Sequence, residues 1–244
     1  MTEKRLHPGV SIDRTPDGSR WVVKDRGGRG HAAANEAAAA SLAKIAGIDV
    51  PAVHHVKVKG VDVAAVELIH GANDLSNMGE DERRAALAKV PRQEIDRHTL
   101  FDYLIGASDS NNGNFMIKGD GGLVAIDKEQ SLNHGKIGNK AEFRVPFMLS
   151  DLVEKGASPS AYQFDSAAVS HMADAGQKMA AHLDATGRSK DAEGVRRRAE
   201  VLHQLAHGSA PVTAGSIDEA GRAKDKSAPP PAGLGRWVRG LFGG

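Results

Sequence analysis

The chain of 244 residues is 40% hydrophobic, a composition typical of a globular protein with a full core. Lys and Arg total 32 against 31 for Asp and Glu, so the net charge of +1 gives no reason to expect binding to nucleic acid. Cysteine is absent, which excludes disulfides and thiolate metal sites.

Signals for export or membrane insertion are missing from the sequence. Residues 1–10 are polar and lack the apolar core of a signal peptide, and no apolar stretch is long enough to cross a bilayer. We therefore expect a cytoplasmic protein.

Short apolar runs alternate with turns over residues 10–69, which predicts a small β-rich lobe. Pro16, Asp17 and Gly18 supply turn chemistry between the first two runs. An alanine-rich run predicts a helix, and Gly47 is expected to end it. The predicted strands are residues 10–12, 21–24, 53–58 and 61–69, and the predicted helix is 32–46.

Helical periodicity dominates after residue 74, because apolar side chains recur at three- and four-residue steps. The glycine-rich residues 119–122 predict a β-hairpin. The predicted helices are 80–90, 93–105 and two more around 169–183 and 195–205, and the hairpin strands are 115–117 and 123–126. Irregular structure is expected for residues 128–163. The arginine run at 196–198 predicts a solvated helix face, with phosphate or nucleic-acid contact as the alternative.

The end of the chain changes in composition. Residues 209–233 are rich in Ala, Pro, Gly and Ser, which predicts a flexible linker. Residues 234–242 place apolar groups at i, i+3, i+4, i+7 and i+8, the pattern of an amphipathic helix. Such a helix is too short to be stable alone in water. We expect it to dock on its own domain, on a partner or on a membrane surface, and disorder is the alternative.

Three polar residues lie on either side of the predicted hairpin. Asp109 and Asn114 form a D-x-x-x-x-N pattern in a polar loop, and Asp127 follows the hairpin at the end of an apolar strand. A carboxylate can orient or deprotonate a hydroxyl, while an amide oxygen and a second carboxylate suit Mg²⁺. The hairpin brings the two candidate metal ligands, Asn114 and Asp127, side by side. The alternative is that these residues are ordinary loop formers and a strand cap.

A lysine and a glutamate, both before Asp109 in the chain, could form an ion pair. Lys24 ends an apolar strand, and Glu36 lies twelve residues later in the first turns of the predicted helix. An ion pair between them is one interpretation; a solvated lysine and a glutamate that favours the helix dipole are the other. Glu67 and Ile69 lie at the end of a long apolar strand.

Residues 8–25, 35–51 and 101–132, in this order, resemble the compact bacterial and phage kinases of the protein-kinase-like superfamily. They are similar to HipA-type toxin kinases and to phosphatidylinositol-3/4-kinase-like domains. The resemblance implies that Lys24 contacts the nucleotide phosphates and that Glu36 is its partner. It implies that Asp109 is the catalytic Asp and that Asn114 and Asp127 are magnesium ligands.

The fold class expected from the resemblance is α+β: a two-lobed protein-kinase-like fold with a small β-rich N-lobe and a helical C-lobe. The predicted N-lobe is residues 1–73, the C-lobe is 74–208, and the tail is 209–244. Glu67 and Ile69 are the expected hinge contacts to the nucleotide.

The loop that would cradle the phosphates has two candidates, since no G-x-G-x-x-G run precedes Lys24. The first is residues 7–11, where Gly9 and Ser11 are the candidate contacts. The second is the Gly- and Arg-rich stretch 26–30, because backbone N–H groups and arginines before a helix bind phosphate. Other departures are the missing His-Arg before Asp109 and the missing glycine two residues after Asp127.

The expected activity is ATP- and Mg-dependent transfer of the γ-phosphate to a hydroxyl. A protein serine or threonine is the expected acceptor, with a lipid or small molecule as the alternative. Two other functions fit the same pattern. One is a catalytically degenerate kinase-fold binding module, such as a phage structural or host-interaction protein, and the other is AMP transfer on the same fold.

Overall fold

Five antiparallel strands form the larger sheet of the computed structural model, which describes residues 2–7, 9–25, 30–132, 147–153 and 157–227. Their order across the sheet is β1-β2-β3-β5-β4. The strands are β1 (Thr2–His7), β2 (Val10–Arg14), β3 (Arg20–Lys24), β4 (Val53–Val58) and β5 (Val61–Glu67). The predicted strands are confirmed, although β5 ends at Glu67 rather than at residue 69.

Helix α1 (Gly30–Ala46) joins this sheet to the rest of the molecule. Its seven alanines between 32 and 40 favour the helix and let neighbouring backbones approach closely. Near its start, Ala33 packs with Ala64 and Val66 of β5. Further along, Leu42 and Ala43 are fully buried in the main core with the helices described next.

The second sheet has three short strands in the order β6-β7-β8. They are β6 (Ala72–Asp74), β7 (Phe115–Lys118) and β8 (Leu123–Ala125). The hairpin β7–β8 is as predicted, whereas β6 lies in a predicted loop. Because β6 pairs with β7, residues 72 and 73 belong to the second sheet, although the sequence assigned them to the N-lobe.

In the described part of the chain, six further α-helices surround the main core. They are α2 (Glu80–Leu87), α3 (Arg92–Ile105), α4 (Phe147–Leu152), α5 (Ser166–Ala185), α6 (Ser189–Ala206) and α7 (Ala214–Ser227). Helix α3 is the most enclosed: ten of its fourteen residues are buried. Among the helices in the described segments, none is both long and apolar enough to cross a membrane.

Two predictions about the C-terminal third are wrong. Residues 214–227 are helical rather than a flexible linker, because Ala214 and Ile217 supply fully buried contacts to the main core. The 196–198 arginine run is not a uniformly solvated face, since Arg198 is buried against the end of α3. The predicted amphipathic segment 234–242 lies outside the described residues.

The β-rich lobe therefore consists of β1–β5 with the start of α1, and the helical lobe of β6–β8 with α2–α7. The predicted α+β fold class, with a small β-rich lobe and a helical lobe, is confirmed.

Candidate active site

A cavity of ≈ 150 Å³ opens between the two lobes. Val22 and Val66 line it from the larger sheet, while Met116 and Ile126 line it from the hairpin side. Leu68 and Ile69 close it where the chain passes from one lobe to the other. Its lining includes three charged residues: Lys24 and Asp127 lie together at one corner, and Glu67 lies near the passage between the lobes. The cavity thus combines an apolar wall with one polar corner.

Lys24 forms the centre of that polar corner. It is the last residue of β3, and cross-strand pairing places it beside Val10 and Ala64. Its Nζ lies 3.0 Å from Asp127 Oδ1 and 3.5 Å from Glu36 Oε2, and only 10% of its side chain is exposed. The structure therefore brings together the lysine, the helix glutamate and the strand-end aspartate that the sequence singled out.

Glu36 is 97% enclosed, since its side chain is 3% exposed. Burial raises the pKa of its carboxyl; Lys24 opposes this shift, and Asp127 adds to it. The backbone N–H of Lys128 donates to the same carboxylate. One carboxylate oxygen each from Glu36, Asp127 and Glu129 lie within 4.8 Å of one another. This group of oxygen ligands is of the kind that divalent cations prefer.

Asp127 follows β8 in an unusual backbone conformation. Its φ is 54°, in the left-handed region that aspartate tolerates better than most residues but at some cost. Such strain is common where a backbone presents a functional side chain. The side chain is 35% exposed and lines the cavity, so it can reach a bound ligand as well as Lys24.

Asn114 lies beside the strand that leads to Asp127. Its carbonyl oxygen accepts from the N–H of Ile126 at 2.9 Å, which continues the β7–β8 ladder by one step. Its side-chain nitrogen donates to the carbonyl oxygen of Asp109, and the residue is 4% exposed. With the nitrogen engaged, the amide oxygen is the atom that Asn114 can offer to a cation.

Asp109 is exposed in the loop between α3 and β7. Its carboxylate accepts from Asn111 Nδ2 at 2.7 Å and from Gln130 Nε2 at 3.3 Å. The carbonyl of Gln130 in turn accepts from the N–H and the hydroxyl of Ser108, each at 3.0 Å. The loop that holds Asp109 and the segment after Asp127 therefore lie side by side.

The helix before this loop ends at Gly106, whose φ is 60°. The left-handed conformation favours glycine, and a Cβ here, 2.7 Å from Nη2 of Arg198, would displace that guanidinium. Arg198 donates to the carbonyl of Leu104, which places a buried cation at the C-terminus of α3, where the helix dipole favours it. These contacts therefore fix the start of the loop that carries Asp109.

Helix α1 is bound to the helical lobe by the residue before Glu36. Asn35 donates to the carbonyl of Ser131 at 2.8 Å and accepts from Arg188 Nη2 at 2.5 Å. Arg188 also donates to the carbonyl of Ala34 at 3.1 Å. These contacts fix Glu36 relative to the segment that follows Asp127.

The two predicted hinge residues differ in their contacts. Glu67 is committed to the larger sheet: its N–H donates to the carbonyl of Ala52, and its carboxylate accepts from the N–H of the same residue at 3.3 Å. Ile69 lines the cavity, and within the described segments its N–H makes no backbone hydrogen bond. Ile69 therefore offers a donor at the cavity wall.

The structure does not bring Ser11 to the polar corner. Ser11 pairs with Val23, so its side chain lies on the sheet face opposite Lys24, and its hydroxyl donates to Asp13 at 3.1 Å. Gly9 has a φ of 79°, and a Cβ there would lie 2.0 Å from the carbonyl oxygen of Asp25. Gly9 thus closes the β1–β2 turn against the end of β3. Residues 26–29 of the rival loop lie outside the described residues.

Two lobes around a cavity, a β3 lysine paired with a helix glutamate, and carboxylate and amide side chains at the end of a hairpin are the arrangement of a protein-kinase-like fold. The predicted fold class is thereby confirmed. No family model and no curated protein matches the sequence. Among solved structures, the chain is similar to the crystal structure of a proinflammatory kinase from Helicobacter pylori, CtkA, with a TM-score of 0.53. The two share 14% identity over 84% of this chain and 96% of that chain, so the likeness concerns the fold.

Five residues near the site were not singled out in the sequence. They are Asp102, Ser110, Lys128, Glu129 and Arg188. Lys128 and Glu129 directly follow Asp127, and Ser110 directly follows Asp109, so their places next to candidate residues were the available signal. Nothing in the sequence pointed to Asp102 or Arg188, because each makes its contact with a distant part of the chain.

Proposed function

We propose that the protein is an ATP- and Mg-dependent kinase that transfers the γ-phosphate to a hydroxyl, with a protein serine or threonine as the acceptor. One observation carries this proposal: Lys24 lies between Glu36 and Asp127 at the polar corner of an otherwise apolar cavity between two lobes. A cation oriented by a buried carboxylate suits a polyphosphate, and the apolar wall suits a flat base.

The nucleobase belongs against the apolar wall. Val22 and Met116 come from different lobes and both line the cavity, so a flat ring can be held between them. The N–H of Ile69 is the proposed donor to the base edge. Glu67 contributes its backbone position at the hinge, since its side chain is engaged by Ala52.

The phosphates belong beside Lys24, and their magnesium beside Asn114 and Asp127. The donor set fits this ion, because an amide oxygen and carboxylates are hard oxygen ligands. Bound magnesium would supply charge neutralisation for the phosphate oxygens. The turn at Gly9 is the proposed phosphate cradle through its backbone N–H groups rather than through Ser11.

Asp109 is the proposed base. The acceptor oxygen forms a bond to the γ-phosphorus while the bond from that phosphorus to the β–γ bridging oxygen breaks. ADP leaves, and the acceptor proton passes to the Asp109 carboxylate. Its exposure allows a macromolecular acceptor to approach, which favours a protein hydroxyl over a small molecule that would need an enclosed pocket. The finer likeness to HipA-type and phosphatidylinositol-3/4-kinase-like domains rests on the motifs alone.

The test is incubation of the purified chain with Mg²⁺, extracted cell proteins and ATP labelled at either the γ- or the α-phosphate. Label transferred from the γ-position alone, recovered as phosphoserine or phosphothreonine, is the expected result. Transfer of the α-label would identify AMP transfer instead. If neither label is transferred while calorimetry still detects Mg-ATP binding, the protein is a nucleotide-binding module. Absence of both transfer and binding would contradict the proposal entirely.

A further inference from the structure

A single buried carboxylate connects the two segments that carry Asp109 and Asp127. Asp102 Oδ2 accepts from the hydroxyl of Ser110 at 2.6 Å and from Lys128 Nζ at 3.0 Å. The same ammonium lies 2.9 Å from Asp102 Oδ1. Ser110 is the residue after Asp109, and Lys128 is the residue after Asp127. Asp102 itself belongs to α3, a largely buried helix of the helical lobe.

This ion pair lies in the protein interior. The side chains of Lys128 and Asp102 are 4% and 3% exposed. The ammonium lies 4.5 Å from the centre of the Phe115 ring, which adds a cation–π contact. His98 packs edge-on against the same ring, and burial together with the Lys128 charge lowers the pKa of its imidazole to about 3. The imidazole is therefore neutral at working pH and does not compete for Asp102.

Stability alone does not account for such a pair. Removing two charges from water costs about as much as their attraction returns, and apolar replacements of similar volume are often neutral or stabilising. An apolar residue at position 102 would, however, leave the Ser110 hydroxyl without its acceptor. It would also release the residue next to Asp127. What the ion pair provides, and an apolar pair cannot, is a fixed connection between the two segments.

We propose that Asp102, Lys128 and Ser110 form a positioning network that sets the placement of Asp109 relative to Asp127; this rests on the proposed function. Asp102 is the fixed point because residues 98–105 of α3 are all buried. Lys128 fixes the backbone next to the proposed metal-ligand aspartate, and Ser110 fixes the backbone next to the proposed base. None of the three touches the reacting atoms, so each acts through its neighbour.

The test uses the full chain with a pair of compensating substitutions. Lys128→Met alone leaves the Asp102 carboxylate buried and unpaired, so the melting temperature should fall steeply. Asp102→Leu with Lys128→Met removes both charges and should recover most of that loss. Because the connection is still missing, kcat for phosphoryl transfer should remain about 10- to 100-fold below wild type, with KM for ATP within a few-fold. Amide exchange of residues 109–114 and 127–131 should be faster.

Ser110→Ala gives a second measurement that does not depend on the double variant folding. It removes only the hydroxyl and leaves the Asp102–Lys128 ion pair in place. It should therefore lower kcat and accelerate exchange of residues 109–114, while the melting temperature falls less than in Lys128→Met. The control is Arg83→Met with Asp151→Leu. This interior pair joins α2 to α4, and its removal should leave both segments unchanged.

Wild-type turnover and wild-type exchange in either the stable double variant or Ser110→Ala would overturn the positioning role. Amide exchange requires no ATP, so it decides the question even if the chain has no kinase activity. In that event the wild type would fail the labelled-ATP test, whereas faster exchange in the variants would still support the network. The two failures are therefore distinguishable.

Discussion

Lys24 holds the two carboxylates of the polar corner in place, and this defines its expected role. Replacing it by methionine keeps the aliphatic stem but leaves Glu36 and Asp127 facing each other without a cation. We expect Lys24→Met to weaken Mg-ATP binding or turnover by at least about 10-fold, the equivalent of one lost charge-assisted contact. Calorimetry and steady-state kinetics measure the two effects.

Lys118→Met is the matched control for Lys24. Lys118 also forms an ion pair, with Asp49 at 2.7 Å, but at a more exposed position outside the cavity lining. Its replacement should leave nucleotide affinity unchanged. Unaltered affinity and turnover in Lys24→Met would remove the phosphate role from this lysine.

Asp109 and Asp127 have different proposed roles, and near-isosteric substitutions separate them. Asp109→Asn should lower phosphoryl transfer by about 10²- to 10⁴-fold, the typical contribution of a positioned base, while Mg-ATP affinity stays within a few-fold. Asp127→Asn should instead weaken magnesium-dependent binding, because it removes a charged ligand. Parallel titrations of Mg-ATP by calorimetry measure the difference. Equal loss of binding in both variants would contradict the division of roles.

Glu36 illustrates a conflict between stability and function. Burial raises the pKa of its carboxyl, so keeping it ionised costs folding free energy. The cost is absent below the carboxyl pKa of the unfolded chain and complete above the raised pKa of the folded protein. Glu36→Gln should therefore raise the melting temperature at neutral pH, make little difference in acid, and weaken Mg-ATP binding because Lys24 loses its partner. A neutral-pH melting temperature below that of the wild type would show that the pairing outweighs the burial.

Residue types and spacing predicted which side chains form the polar corner. They did not predict the buried side chains that position its segments. Lys24, Glu36 and Asp127 could be named because each follows a recognisable strand or helix signal. The Asp102–Lys128 pair could not be named, since the two residues lie 26 positions apart and only the packing of α3 against the hairpin brings them together. Ser11 was misplaced for a related reason: the face of a strand depends on its register, which the sequence pattern did not settle.

Helix α1 is the element on which the two lobes depend. Its start packs on the larger sheet, its middle enters the main core, and Asn35 and Arg188 attach it to the segment after Asp127. Movement of α1 away from the helical lobe would break all of these contacts together. We therefore expect the Lys24–Glu36 pair to be assembled in the nucleotide-free protein.

Arg188→Met tests that attachment. It removes the donors to Asn35 and to the carbonyl of Ala34, and it also breaks the ion pair of Arg188 with Asp191. Each buried acceptor left unpaired costs about 1–3 kcal/mol. Amide exchange in α1 should accelerate, and Mg-ATP affinity should fall several-fold. Arg196→Met is the control, because it breaks only an exposed pair with Asp184 on the neighbouring helix. Equal exchange in the two variants would show that α1 is held by apolar packing alone.

At the scale of elements, strong periodicity was a reliable guide and average composition was not. Helices α3, α5 and α6 were predicted from apolar steps that match their buried faces. Helix α7 was missed because the Ala, Gly and Ser content of its region resembles a linker, while a few buried positions decide its structure. Strand β6 is only three residues long, too short to show a pattern before its partner β7 is known.

The extent of the folding unit is the remaining question at the scale of the molecule. The N–H of Phe164 donates to the carbonyl of Val212 at 2.9 Å, and that of Ala214 donates to Tyr162 at 3.0 Å. Together with the buried side chain of Ile217, these bonds join residues 212–217 to the start of α5. The predicted tail boundary at residue 209 therefore cuts through the core.

Two truncations test where the folded domain ends. A chain ending at Ser227 keeps α7 entire, so it should unfold at the wild-type temperature and be stabilised equally by Mg-ATP. A chain ending at Gly208 loses Val212, Ala214 and Ile217 from the core, and full burial of the two larger side chains alone is worth about 1.5–3 kcal/mol each. It should therefore melt at a markedly lower temperature. Thermal unfolding with and without Mg-ATP measures both effects. If the shorter chain melts like the wild type, α7 contributes nothing to the core; if the longer one is destabilised, residues 228–244 belong to the fold.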